Sequence, residues 1–425
     1  MTTMWLALTL FLIMYALLLY TDASKRWMVA FVFACLFVLF GFLPLDAVFG
    51  AISWNVIFML LGTMAMVELF IESRMPSRLA QQLLQRVPNV KWAIIALCVF
   101  TGIVSAFIDN VATVLMIAPI GLAISRQLDI NPVPVLISIS VSSNLQGAAT
   151  LVGDTTSILL GAYADMSFTD FFWFMGRPGI GFAVEIGALA SVLALLYLFR
   201  TDTKPITSKV TTTVQDYMPS FLLLGMILAL IIASQFENKP ELTNGYLCMA
   251  FAAFGILYKA ARERSFAVAG RIGRAIDYST LLLLCSLFIV IAGITQAGVI
   301  DAISRLFVRL AGEGVGKMYV LLVLISVLLS AFVDNIPYVA TMLPVVQKIA
   351  AQMGTAPYLF YFGLLIGATL GGNLTPIGAS ANIAGIGILT KAGYEVKARD
   401  FLRIGVPFTL LAVVSASVVI WLLYA

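Results

Sequence analysis

SAFIDNVATVLMIAP (105–119) has the apolar texture of a membrane helix, yet Asp109 and Asn110 sit where hydrocarbon is expected. At 330–344 the chain writes SAFVDNIPYVATMLP, with Asp334 and Asn335 in the same place. Seven of fifteen positions match: Ser, Ala, Phe, Asp, Asn, a Val and the closing Pro. A second pair keeps the same offset. GAATLVGDTTSI (147–158) aligns with GNLTPIGASANI (372–383), sharing Gly147/Gly372, Thr150/Thr375, Gly153/Gly378 and Ile158/Ile383. One apolar match is easily accidental, but two polar, glycine-bearing matches at one offset read as a tandem duplication.

The surrounding composition sets the solvent. Of 425 residues, 61% are hydrophobic and 11% charged, against roughly 25% charged in a soluble protein. Runs such as WLALTLFLIMYALLLY (5–20) and FTLLAVVSASVVIWLLYA (408–425) approach the ~20 residues that a bilayer span needs. The N-terminal MTTMW carries no basic segment, so the first run is expected to stay as a span. A net charge of +4, confined to loops, implies no nucleic-acid partner. Cys35, Cys98, Cys248 and Cys285 lie in apolar stretches at no metal-ligand spacing and read as packing residues. Histidine is absent, so proton chemistry falls to carboxylates. No phosphate-binding GxxxxGK[ST] pattern occurs, which excludes ATP hydrolysis by this chain.

Each half reads alike: three spans (about 4–20, 27–44 and 55–72; then 219–235, 245–260 and 278–299), two segments meeting at Asp-Asn (92–126; 318–350), one segment interrupted by glycine and polar residues (133–163; 357–390), and a last span (179–199; 404–424), with the stretches between them as connections. The halves are 1–200 and 219–425, joined by a polar cytoplasmic linker at 201–218 that includes TDTKPITSKVTTTVQD (201–216). With the N-terminus outside and each Asp-Asn pair returning to its own face, inside loops hold 19 Lys and Arg residues and outside loops 6. That asymmetry sets the orientation. Five crossings per half is an odd number, so the second half is inverted. The expected fold is an all-α polytopic membrane protein. It has two inverted repeats, about ten transmembrane helices, two re-entrant hairpins and two interrupted helices.

An intramembrane carboxylate costs at least ~2.5 kcal/mol to insert, so Asp109 and Asp334 are candidate site residues; the rival readings are a surface loop or a structural ion pair. Asn110 and Asn335 either contact the substrate or cap the hairpin tips. Non-helical backbone at depth needs protein or a water-filled cavity around it, and inversion would bring the two tips together near the midplane. The interrupted stretches SSNLQGAATLVGDTTS (142–157) and GGNLTPIGASAN (371–382) place Asn144, Thr150, Thr155 and their neighbours in mid-span. Freed carbonyls there can hold a cation and half-helix N-termini can attract an anion, or the small residues can simply allow close packing. Asp154, matched by Ala379 in the other half, is a coupling carboxylate or a helix N-cap. Glu68 and Glu185 read as interfacial, and Trp54 and Trp173 as interface anchors.

At these motifs the chain resembles the ion-transporter superfamily of arsenite pumps, bacterial sodium/proton antiporters, citrate-type permeases and the melanosomal P protein. GATLGGNLTPIGASANIAGIGI (367–388) and the Val-Asp-Asn at 333–335 carry the likeness to the last of these. The resemblance implies a scaffold and a transport domain, opposed re-entrant hairpins, elevator-like movement and a homodimer. It carries binding roles to Asp109, Asn110, Thr113, Thr150, Gly153, Asp154, Asp334, Asn335, Asn373, Thr375, Gly378, Ser380 and Asn382. Where divalent-anion symporters of the superfamily use Ser-Asn-Thr at both tips, this chain has Asp-Asn. Thr155-Thr156-Ser157 stands where many relatives carry a proline pair followed by Asn.

Three functions follow. A proton- or sodium-coupled antiporter suits three buried aspartates with no lysine or arginine in the motif stretches; hard cations take oxygen ligands. A dicarboxylate, citrate or arsenite/antimonite permease would instead use the half-helix N-termini, with sodium neutralising the aspartates. A non-transporting channel or assembly protein would tolerate loss of Asp109 or Asp334. Enzymatic catalysis is not expected, nor any cofactor beyond bound sodium or a proton. The partners implied are a small ion or anion and the lipid bilayer, and the location a bacterial inner membrane.

Overall fold

The computed structural model describes residues 2–205, 213–236, 239–312 and 314–425; the middle of the linker, 206–212 with Lys209, lies outside them. Among the described residues the fold is all-α, apart from a small hairpin pairing Trp173-Phe174 with Arg177-Pro178 and one isolated bridge. That hairpin turns through Met175 and Gly176 at φ of 52° and 78°, the left-handed geometry that two-residue hairpin turns require.

The first half runs α1 (Thr2–Tyr20), α2 (Arg26–Leu39), α3 (Trp54–Glu72), α4 (Met75–Leu84), α5 (Val90–Ser105), α6 (Asn110–Gln127), α7 (Pro132–Gln146), α8 (Thr155–Tyr163) and α9 (Ile180–Leu198). The second runs α10 (Met218–Ala233), α11 (Thr243–Glu263), α12 (Ala267–Ala275), α13 (Tyr278–Gln296), α14 (Val299–Ala311), α15 (Val315–Ser330), α16 (Asn335–Met353), α17 (Tyr358–Leu365), α18 (Ser380–Lys391) and α19 (Ala398–Tyr424). Three pairs of helix starts recur at the motif offset: Val90 and Val315, Asn110 and Asn335, Thr155 and Ser380. By length and composition α1, α3, α6, α9, α13 and α19 can cross a membrane. The molecule is a polytopic membrane protein.

Two expectations change. The second span stops at Leu39 instead of running to 44, because Gly41 turns the chain at φ 72° ahead of Pro44. The stretches taken as connections before each hairpin contain amphipathic helices. α4 buries Pro76, Ala80 and Leu84, and α14 buries Ile300, Ser304, Phe307 and Ala311 while Arg305 and Arg309 stay exposed. Their apolar residues recur every three or four positions, a signal hidden from a search for unbroken apolar runs.

Loops that charge counting groups on one face do meet. Val90 N donates to Lys204 O, Gln215 N to Ser73 O, and Arg271 Nε reaches Glu72 Oε1 at 2.6 Å. Lys259 also pairs with Glu72. α3 and α11 press together at Gly62, where any side chain would strike the Cys248 backbone. This scaffold flanks the hairpins and broken helices that build the site.

Candidate functional site

α5 and α6 form the first hairpin, with Asp109 at its tip; α15 and α16 form the second, with Asp334 at its tip. Both tips face one cavity of about 330 Å³. Four helices begin at its wall: Asn110, Thr155, Asn335 and Ser380 are the first residues of α6, α8, α16 and α18, and all four line it. Each helix start brings unpaired N–H groups and about half a positive charge.

Three of these starts are capped by aspartates. Asp109 Oδ1 accepts from Val111 N at 3.0 Å and Ala112 N at 3.1 Å. Asp154 Oδ1 accepts from Thr155 N at 2.7 Å, and its Oδ2 from Thr156 Oγ1 at 3.0 Å and Asn335 Nδ2 at 3.4 Å. Asp334 Oδ1 accepts from Ile336 N at 3.3 Å. The fourth start, at α18, follows Ala379 and has no side-chain cap. Helix ends thus offset part of the cost of holding carboxylates at this depth. Asp154 is an N-cap and a cavity residue at once, so its two expected roles coexist.

Below the cavity a chain of amides ties the halves together. Asn110 Nδ2 donates to Asn144 Oδ1 at 2.9 Å, and Asn144 Nδ2 donates to Thr369 O at 2.7 Å and to Asn373 Oδ1 at 3.1 Å. Asn373 Nδ2 ends the chain on Val141 O at 2.9 Å. Asn144 therefore bonds to residue 369, its own counterpart at a separation of 225. Contact between a residue and its sequence counterpart is what two halves related by a two-fold axis would give.

Matched contacts flank this point. Thr150 Oγ1 donates to Ala106 O, as Thr375 Oγ1 does to Ala331 O. Ser157 Oγ donates to Gly147 O, as Asn382 Nδ2 does to Gly372 O. A Cβ on Gly153 would lie 2.6 Å from Gly147 O and 2.8 Å from Ala106 O; one on Gly378 would lie 2.5 Å from Gly372 O and 2.6 Å from Ser330 O. Here glycine lets each unwound segment close against the end of its hairpin.

The residues singled out by sequence divide accordingly. Asp109, Asn110, Asp154, Thr155, Asn335 and Ser380 line the cavity. Asp334 lies just behind, accepting from Ser380 Oγ at 3.0 Å. Asn144 and Asn373 carry the amide chain, while Thr150, Thr375, Gly153, Gly378 and Asn382 hold the turns of the broken helices. Thr113 is fully buried within α6, its hydroxyl 3.4 Å from Ile108 O.

Sequence reasoning misplaced or missed several groups. Glu68, read as interfacial, lines the cavity, because α3 is buried on most of its faces. Asp277 and Thr280, at the start of α13, line it as well. Glu185, also read as interfacial, stays exposed and accepts from Gln146 Nε2 at 3.1 Å in a groove beside α5, which leaves that reading standing. Arg26 was counted as a loop charge, yet its Nη1 lies 2.8 Å from Asp334 Oδ2. Nothing in the sequence separates it from its exposed neighbour Lys25.

The amide chain gives a direct test. Asn144→Leu strands the amides of Asn110 and Asn373, and each unsatisfied buried group costs roughly 1–3 kcal/mol. Thermal unfolding in detergent is expected to show a clearly lowered Tm, and Asn110→Ser, which leaves only Asn144 Oδ1 without its donor, a smaller loss.

Over residues 15–268 and 248–425 the chain matches the family described as citrate transporter. A 46 kDa membrane protein of Mycobacterium leprae is 31% identical over 430 residues, covering 99% of this chain and 98% of its own. An uncharacterised transporter of Mycobacterium tuberculosis has the same identity and coverage. The human P protein is 27% identical over 445 residues, covering 86% of this chain and 53% of its own length. The crystal structure of the YdaH transporter of Alcanivorax borkumensis has the same fold, with a TM-score of 0.58 over 88% of this chain and 87% of that one at 12% identity.

Proposed function

The chain belongs to the citrate transporter family and is an integral membrane transporter of a small solute, not an enzyme, and we propose that it works as a proton- or sodium-coupled antiporter. One observation carries this reading. Glu68, Asp109, Asp154 and Asp277 line the cavity, and among the described residues no lysine or arginine does. A partly enclosed acidic cavity attracts cations and repels a bare anion. Among the described residues no three acidic side chains converge closely enough to hold a metal ion by themselves. A transported sodium would therefore have at most two carboxylates and would complete its shell with amide, hydroxyl and carbonyl oxygens, and a proton would need only one carboxylate.

The cavity wall includes Ile71 and Ala275, next to the Glu72–Arg271 cluster. We take that basic face as the cytoplasmic one and this state as open to the inside. The halves 1–200 and 219–425 serve as inverted repeats joined by the linker at 201–218, so exchanging their conformations carries access from one face to the other. We place the protein in a bacterial inner membrane, in keeping with its mycobacterial relatives, and as a homodimer by resemblance.

In proteoliposomes, an imposed sodium or pH gradient is expected to drive counter-movement of the second cation. The reading fails if such gradients are without effect while a citrate gradient alone drives uptake. That outcome would favour an anion permease, for which the uncapped start of α18 is the supporting observation: a carboxylate could take the place that Asp154 fills at α8.

A further inference from the structure

Asp109 and Asp334 occupy equivalent positions but not equivalent surroundings. Both cap the second arm of a hairpin. Among the described residues no basic side chain pairs with Asp109, whereas Asp334 Oδ2 accepts from Arg26 Nη1 at 2.8 Å. The two side chains are nearly buried, at 12% and 9% exposure. Arg26 opens α2, which packs against α1 and α13 of the flanking scaffold. Tyr15 of α1 adds a second tie, its hydroxyl donating to Pro337 O at 2.6 Å and lying 2.6 Å from Thr341 Oγ1.

We propose that Arg26 is the resident counter-cation of Asp334, and that the transported cation competes with its guanidinium for that carboxylate. This rests on the antiporter reading above. A buried carboxylate stripped of its partner is costly, and arginine does not release its charge. The pair can therefore be undone only by moving the second hairpin away from α2, and Asp334 then needs another positive charge. Asp154, reached through Asn335, is a charged neighbour, and it increases that need. Tip movement and cation occupancy are thereby linked: the hairpin leaves the scaffold only when a cation replaces Arg26.

The test uses the full chain in proteoliposomes, with whichever gradient, sodium or proton, drives exchange by the parent. If Arg26 occupies Asp334 about nine-tenths of the time, Arg26→Gln should lower the half-saturating cation concentration about ten-fold while slowing maximal exchange. Arg26→Lys should stay near the parent, and Arg26→Gln/Asp334→Asn should lose the gain in affinity. A purely structural tie predicts instead a lower Tm for Arg26→Gln with an unchanged half-saturation, and that result overturns the proposal. If the parent responds to neither gradient, the antiporter reading itself falls. If the parent responds and Arg26→Gln saturates identically, only the role of Arg26 is lost.

Discussion

Asp109→Asn is expected to abolish gradient-driven exchange while leaving the protein folded. Asparagine is as good an N-cap as aspartate, so its Oδ1 can keep the bonds to Val111 N and Ala112 N that Asp109 makes. What disappears is the one tip carboxylate with no basic partner among the described residues. Losing an ionic contact in a partly dehydrated site costs roughly 3 kcal/mol, which lowers apparent cation affinity about 100-fold. Flux should lose its dependence on pH or sodium, and the Tm without added cation should stay close to that of the parent. Asp109→Ala, which also removes the cap, should lower both. Exchange by Asp109→Asn at the parent's rate and affinity would remove Asp109 from the mechanism.

The second large effect concerns packing. Gly378→Ala puts a methyl group against three carbonyl oxygens, of Gly372, Ser330 and Ala331, at 2.5 to 3.0 Å. Gly153→Ala does the same against Gly147, Ala106 and Ser105, at 2.6 to 3.0 Å. Backbone in the middle of two helix breaks cannot step aside as a side chain can, so the cost lies at or above the ~1–3 kcal/mol usual for overpacking. Either variant should yield little folded protein, or a Tm many degrees lower by differential scanning fluorimetry. Gly270→Ala, where a Cβ meets nothing within 4 Å, is the control. Equal Tm values for Gly378→Ala and Gly270→Ala would show that the broken helices do not need this close approach.

Much of this was open to reading from the residues. The repeated Asp-Asn and glycine motifs announced two hairpins and two breaks, because hydrocarbon leaves few other uses for such residues. Helix starts then fell at the same offset as the motifs. What stayed hidden depended on rotation and depth. Glu68 occupies an apolar helix at a position equally suited to headgroups or to a cavity, and only the packing of α3 decides between them. Arg26 lies outside every motif, 308 residues from its partner. Its role comes from the approach of α2 to the second hairpin, which no periodicity encodes. The short helices α4 and α14 escaped because their stripes are amphipathic, not apolar.

The bond between Asn144 and the backbone of Thr369 also bears on ancestry. If the halves arose from two separate copies of one shorter chain inserted in opposite senses, the residue at this spot would have faced itself. An amide, donor and acceptor together, is one of the few side chains able to bond to its own twin. In the present chain Asn144 meets the backbone oxygen of Thr369 in place of a second amide.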